Sequence, residues 1–104
     1  MTNLENLRER AEPASRLMKA FANKDRLLIL CYLAEGERQV SELEALVQIK
    51  QPSLSQQLGR LRMEHLVSTR RSGKEIYYRL ASSEAGAVVK LIHQLFCASS
   101  QESG

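Results

Sequence analysis

The 104-residue chain contains no tryptophan, three tyrosines and two phenylalanines. With aromatics at 5% of the residues, it lacks the run of rings on which single-stranded nucleic acid stacks. Its two cysteines are too few for the disulfide framework of a small secreted domain. No apolar run reaches the roughly eighteen residues that a membrane-spanning helix needs. Met1 to Glu12 is polar and mixed in charge, unlike a secretory signal, so the expected location is the cytoplasm. Internal repeats, low-complexity tracts and linkers are absent, and residues 1–104 are expected to form a single domain. No Ser/His/Asp set, phosphate loop or metal motif is visible, so neither an enzyme nor a cofactor is expected. A chain this short has a thin core, for which oligomerisation is one remedy.

The charge that is present is unevenly placed. The net charge is +3. From Lys50 to Leu80 there are seven basic residues (Lys50, Arg60, Arg62, Arg70, Arg71, Lys74 and Arg79) against Glu64 and Glu75. That third of the chain carries +5 and the remainder −2. A solvated basic face is one reading of such a segment, and an electrostatic footprint for phosphates is the other. The structure that carries the charges decides between them.

Apolar residues at Leu4, Leu7, Ala11, Ala14, Leu17, Met18 and Phe21 predict a helix over about residues 3–21. Pro13 should kink it or restart it. Asn23 is the N-cap expected for a second helix, with Asp25 in its first turn. Leu27 to Leu33 make that helix apolar nearly all round, and Gly36 should end it. Ser41–Val47 reads as a short helix, followed by a tight connection at Gln48–Lys50. The next helix opens with Pro52 in its first turn. It buries Leu54, Leu58 and Leu61 and turns Ser53, Gln56, Gln57 and Arg60 outward. Beyond Glu64-His65 the period changes from helical to alternating. Val67–Arg71 and Glu75–Leu80 read as a hairpin about a Ser72-Gly73 turn, with Arg70, Arg71 and Lys74 at the tip. One of Tyr77 and Tyr78 should pack in the core while the other faces out. His65 at the corner reads as structural or as a phosphate contact. Ser82 or Ser83 caps a last helix whose stripe is Ala85, Val88, Val89, Ile92, Leu95 and Phe96, more apolar surface than one thin domain can cover. Ser99 to Gly104 is expected to fray.

The predicted architecture is mainly α with one β-hairpin. A helix-turn-helix lies over about residues 41–64 and a wing over about 67–80. In such a winged helix-turn-helix the second helix enters the major groove of double-stranded operator DNA. Gln51, Ser53, Ser55, Gln56, Gln57 and Arg60 are the candidate contacts there. Gln suits adenine and Arg suits guanine, while hydroxyls and the helix N-terminus suit phosphate. Arg70, Arg71 and Lys74 of the wing can follow the backbone or enter the minor groove. A hairpin that binds a protein partner is the competing class, and steep salt dependence separates the two.

Four stretches resemble the ArsR/SmtB family of dimeric winged-helix repressors: Ala22-Asn23-Lys24-Asp25-Arg26-Leu27-Leu28-Ile29-Leu30, Val40-Ser41-Glu42-Leu43, Gln51-Pro52-Ser53-Leu54-Ser55-Gln56-Gln57-Leu58 and Arg70 to Leu80. The resemblance covers nearly the whole chain. It implies a homodimer built through about residues 3–21 and 83–97, which leaves its operator when an inducer is sensed. Metal-sensing members place cysteines at the start of the short helix, where this chain has Gln39 and Ser41. Others bind zinc through Asp and His along the last helix, where this chain has only His93 and, at the start, Glu84. Both sites are missing, so no metal is expected.

Cys31 in the second helix and Cys97 at the end of the last resemble the reactive-sulfur branch of the family, the BigR, SqrR and HlyU repressors. That resemblance implies that persulfides or polysulfides bridge the two thiols, directly or through extra sulfur atoms, and weaken DNA binding. Without it, two cysteines in apolar surroundings are ordinary core residues. A metal- or general oxidant-sensing repressor of the same family is the alternative. His93 and Cys97 stand at i, i+4, a chelating spacing to which Cys31 could add a third ligand. Cys97, near the chain end, should be the exposed thiol and Cys31 the buried one.

Overall fold

The computed structural model describes residues 3–97. The expectation for Ser99 to Gly104 lies outside them. The elements are α1 (Leu4–Phe21), α2 (Lys24–Glu35), β1 (Arg38–Gln39), α3 (Val40–Val47), α4 (Ser53–Met63), β2 (Val67–Ser72), β3 (Glu75–Leu80) and α5 (Ser83–Phe96). The helix starts follow local chemistry, because a short polar side chain can accept an otherwise unpaired N–H of the first turn. Asn3 accepts from the N–H of Asn6 at 2.8 Å, Asn23 from that of Arg26 at 3.0 Å and Ser82 from that of Ala85 at 3.0 Å. Ser82, not Ser83, is thus the cap of α5. Gly36 ends α2 as expected.

Helix α1 continues through Pro13 rather than restarting there. Proline leaves the carbonyl of Glu9 without its helical partner. The surrounding turns are exposed, so water reaches that carbonyl and the helix survives. The hairpin turn lies one residue later than the sequence suggests. Ser72 pairs with Glu75, leaving Gly73 and Lys74 as the two loop residues. Gly73 has φ 64°, the positive value that glycine supplies without a steric cost. A third strand, unexpected from the sequence, is the two-residue β1. It pairs antiparallel with β3 (Arg38 with Tyr78, Gln39 with Tyr77), giving the order β1-β3-β2.

The core forms around α2. Ile29 and Leu30 of α2, Leu43 of α3 and Leu54, Leu58 and Leu61 of α4 are the largest fully buried side chains. Phe21, Val67, Ala85 and Val89 close the cluster from α1, β2 and α5. Tyr78 packs against this core, whereas Tyr77, its neighbour in the strand, lies on the opposite face beneath Arg70. The apolar stripe of α5 is only partly used. Leu91, Leu95 and Phe96 remain 52%, 61% and 75% exposed, as do Leu4 and Leu7 of α1 at 65% and 54%.

Arg26, which the sequence reading passed over, joins three helices. Its guanidinium donates to the carbonyls of Ala20 (3.1 Å) and Lys19 (3.0 Å) at the end of α1. It also donates to Gln57 Oε1 of α4 at 3.2 Å. One side chain thereby caps α1 and fixes α4 against it. Arg26→Met keeps the aliphatic stem and strips these bonds, taking from the Ala20 carbonyl its part-buried partner, while the Lys19 carbonyl keeps the Ala22 N–H. Urea unfolding at fixed protein concentration should show a loss of about 1–3 kcal/mol. Unchanged stability would refute the role.

Candidate nucleic-acid interface and thiol groove

Helices α3 and α4 form the helix-turn-helix. Gln48 closes α3 in the left-handed conformation (φ 59°), its N–H bonded to the Glu44 carbonyl at 2.9 Å. Helix α4 turns Leu54, Leu58 and Leu61 inward. That leaves Ser53, Ser55, Gln56 and Arg60 exposed on the other side. The wing follows, with exposed Arg70, Arg71 and Lys74. The exposed cations Arg60, Arg71 and Lys74 thus lie on α4 and on the hairpin that follows it.

Four of the nine residues proposed to face DNA, Gln51, Ser55, Gln57 and Arg70, have internal partners. Gln51 Oε1 accepts the backbone N–H of Ser55 at 3.1 Å and also meets the Ser55 hydroxyl, so it caps α4. Gln57 is half-buried and receives Arg26. Arg70 forms a two-pronged pair with Glu37, Nε to Oε2 at 2.6 Å and Nη2 to Oε1 at 2.8 Å, and its guanidinium lies 4.6 Å from the centre of the Tyr77 ring. Ser53, Gln56, Arg60, Arg71 and Lys74 stand exposed. His65 holds a positive φ of 62° at the corner, with its backbone N–H on the Arg62 carbonyl at 3.0 Å, and its side chain is exposed.

The thiols belong to a different region. Cys31 of α2 and Cys97, the C-cap of α5, line one open groove of about 820 Å³. Leu28, Tyr32, Leu80 and Ile92 make its walls largely apolar, and His93 also lines it. Cys97 is exposed, Cys31 is half-buried, and both are thiols. The pKa of Cys31 is raised, first by burial and then by repulsion from Cys97 and Glu35. Among the described residues, no group of three His, Cys, Asp or Glu side chains is placed to hold a metal ion. The i, i+4 spacing of His93 and Cys97 does not gather a third ligand. None of the described helices is long and apolar enough to cross a membrane.

The family model of bacterial regulatory proteins of the arsR family matches residues 23–69, from the α2 cap into β2. The biofilm growth-associated repressor of Agrobacterium fabrum is 46% identical over 92 residues, 88% of this chain and 79% of that protein. The chain belongs to the ArsR family. Among solved structures, the transcriptional repressor BigR from Xylella fastidiosa superposes on this regulator with a TM-score of 0.85 at 42% identity. The match covers 92% of this chain and 98% of that one. Reduced HlyU from Vibrio cholerae gives 0.86 at 39% identity, over 90% and 99%. The winged helix-turn-helix expected from the sequence is thus the fold of this ArsR-family regulator, which is not an enzyme.

The thiol geometry makes a pH-dependent statement. A raised pKa keeps Cys31 protonated, and therefore unreactive, to higher pH than an ordinary cysteine. The alkylation rate of Cys31 by iodoacetamide should rise late along the pH axis. In Cys97→Ser its midpoint should move down, because one source of repulsion is gone. A midpoint that moves up contradicts the arrangement.

Proposed function

We propose that the chain is a homodimeric, DNA-binding transcriptional repressor that releases its operator when reactive sulfur species bridge Cys31 and Cys97. The observation that carries this reading is the groove in which both cysteines, distant in sequence, stand together. The chemistry follows from the thiols. One thiolate attacks a polysulfide sulfur, breaks an S–S bond and expels a hydropersulfide anion. The second thiolate then attacks the Sγ of the resulting cysteine persulfide, forms the Cys31–Cys97 disulfide and expels the outer sulfur as hydrosulfide. The two thiols lose two protons and two electrons, and the polysulfide is reduced. Longer bridges arise when further sulfane sulfur is retained.

The bridge ties α2, the centre of the core, to α5. Helices α5 and α1 carry the exposed Leu4, Leu7, Leu91, Leu95 and Phe96, apolar side chains that a second copy of the chain would cover. In a dimer the two α4 helices must be spaced by about one DNA turn, roughly 34 Å. A small rotation about α5 displaces both from register. In the DNA-bound form, Ser53, Gln56 and Arg60 of α4 read the major groove, while Arg71 and Lys74 lie along the backbone.

Gel shift tests the switch. The reduced protein should retard a duplex that it selects from a random-sequence pool. Polysulfide should release it, and Cys31→Ser and Cys97→Ser should stay bound. Mass spectrometry of the treated wild type should find Cys31 linked to Cys97, with or without 32 Da increments of about one sulfur each. Release of both single variants by polysulfide would refute the thiol switch, and release by zinc, copper or peroxide alone would favour the metal- or oxidant-sensing reading.

The dimer has its own test. Phe96→Glu places a carboxylate in the apolar face. It should sediment as a monomer where the wild type is a dimer. Loss of the second half-site contact should weaken duplex binding by roughly a hundredfold. A dimeric Phe96→Glu protein with full affinity would move the interface elsewhere.

A further inference from the structure

We propose that Glu37 and Arg70 form a clasp that positions the wing against the helix-turn-helix, so that Arg70 serves DNA binding through Glu37 and Tyr77 and not as a phosphate contact. The inference rests on the reading that α4 and the wing face DNA. It removes one cation from the expected contact set and gives a role to a carboxylate that charge patterning alone counts against DNA binding.

The geometry is that of a filled site. The guanidinium fork of Arg70 meets both carboxylate oxygens of Glu37 at 2.6 and 2.8 Å, the two-pronged arrangement that gives orientation as well as attraction. Its face lies 4.6 Å from the Tyr77 ring centre. Tyr77 is the direct cross-strand partner of Arg70 in the β2–β3 ladder. On its other side Tyr77 pairs with Gln39 of β1, and its hydroxyl accepts from Gln39 Nε2 at 3.0 Å. Gln39 is also the N-cap of α3, and its backbone N–H donates to the Glu42 carboxylate at 2.8 Å. An unbroken chain of contacts therefore runs from the distal half of the wing to the first turn of the helix-turn-helix.

Moving Arg70 to a phosphate would break two charge-assisted bonds and the ring contact. It would also leave Glu37 as an unpaired carboxylate beside a polyanion. The hydrogen bonds from Arg70 hold the Glu37 carboxyl below its usual range, so this charge persists into acid solution. Arg71 is placed differently. Successive strand residues point to opposite faces, and Arg71 pairs with Ile76, away from the clasp. Lys74 occupies the loop at the tip. These two remain the wing cations for the DNA backbone. Because the pair is partly exposed, it adds little to stability, and its effect is on wing orientation.

The test uses a duplex selected by the wild-type full chain from a random-sequence pool, with Kd measured by fluorescence anisotropy across a salt series. Glu37→Gln and Arg70→Gln should each weaken binding by roughly threefold to tenfold, the size of a coupling between residues in contact. The double variant should be no weaker than the weaker single one, and all three should keep the wild-type salt slope and urea midpoint. The direction for Glu37→Gln is decisive, because deleting a negative charge near DNA would by simple electrostatics tighten binding. Tighter binding by Glu37→Gln, a slope lowered by about 0.9 in Arg70→Gln, or unchanged affinity in both single variants overturns the clasp. A wild-type chain that selects no duplex instead overturns the DNA-binding reading itself.

Discussion

Helix α2 has to be enclosed, and the rest of the molecule is arranged to do it. Ile29, Leu30 and Leu33 are buried on it, and Leu27, Leu28, Cys31 and Tyr32 pack at the edge of the same cluster. No single flat neighbour can cover an apolar surface that runs nearly all round a helix. Helices α1, α3, α4 and α5 and the strand β3 each cover a sector of it. The reading helix α4 and the outer helix α5 are thus both seated on one rigid element, with α4 locked by Leu54, Leu58 and Leu61. Both α5 and α4 contact α2, and Cys31 lies on α2 at the boundary between core and groove, which is where the proposed bridge would act.

Most of the fold was legible because its signals are local and repeated. The Leu54–Leu58–Leu61 spacing, the Asn23 cap and the switch to alternation after His65 each depend on a few neighbouring residues. What escaped was long-range. Strand β1 is two residues long, too short to show any period, and exists because β3 offers it an edge. Arg26 carries no local mark. Its partners Lys19, Ala20 and Gln57 come together only after α1, α2 and α4 pack. The Ser72-Gly73 turn signal was right in kind and shifted by one residue, since the register is set by the pairing of Val67 with Leu80 and not by the turn alone. At the candidate site, exposed polar residues were identified by type, but type does not tell which of them the fold has already engaged. Gln51, Ser55, Gln57 and Arg70 have partners inside the chain, whereas Ser53, Gln56 and Arg60 lie exposed on α4.

The basic segment therefore divides into cations with different work. Arg60, Arg71 and Lys74 remain on the surface. Arg70 is neutralised by Glu37, and Arg26, outside the segment, is absorbed by backbone carbonyls and has its pKa lowered by burial and by the nearby Arg60. A count of positive charges overstates the number of phosphates that such a surface can neutralise, and the acidic remainder of the chain is not mere dilution. One of its carboxylates braces the wing.

The placement of the two cysteines has a topological side. Cys31 lies in the middle of α2 and Cys97 closes α5, so between them fall α3, α4 and the entire sheet. A covalent link would turn that stretch into a closed ring, with α1 the only complete element left on an open end. Ring closure over a segment of this length removes disorder from the unfolded chain worth about 4 kcal/mol in the chain-entropy account. The form of the protein that has let go of its target would then be the harder one to unfold or digest. Restoring it would require a reductant able to reach the end of α5, and not merely the inducer's departure.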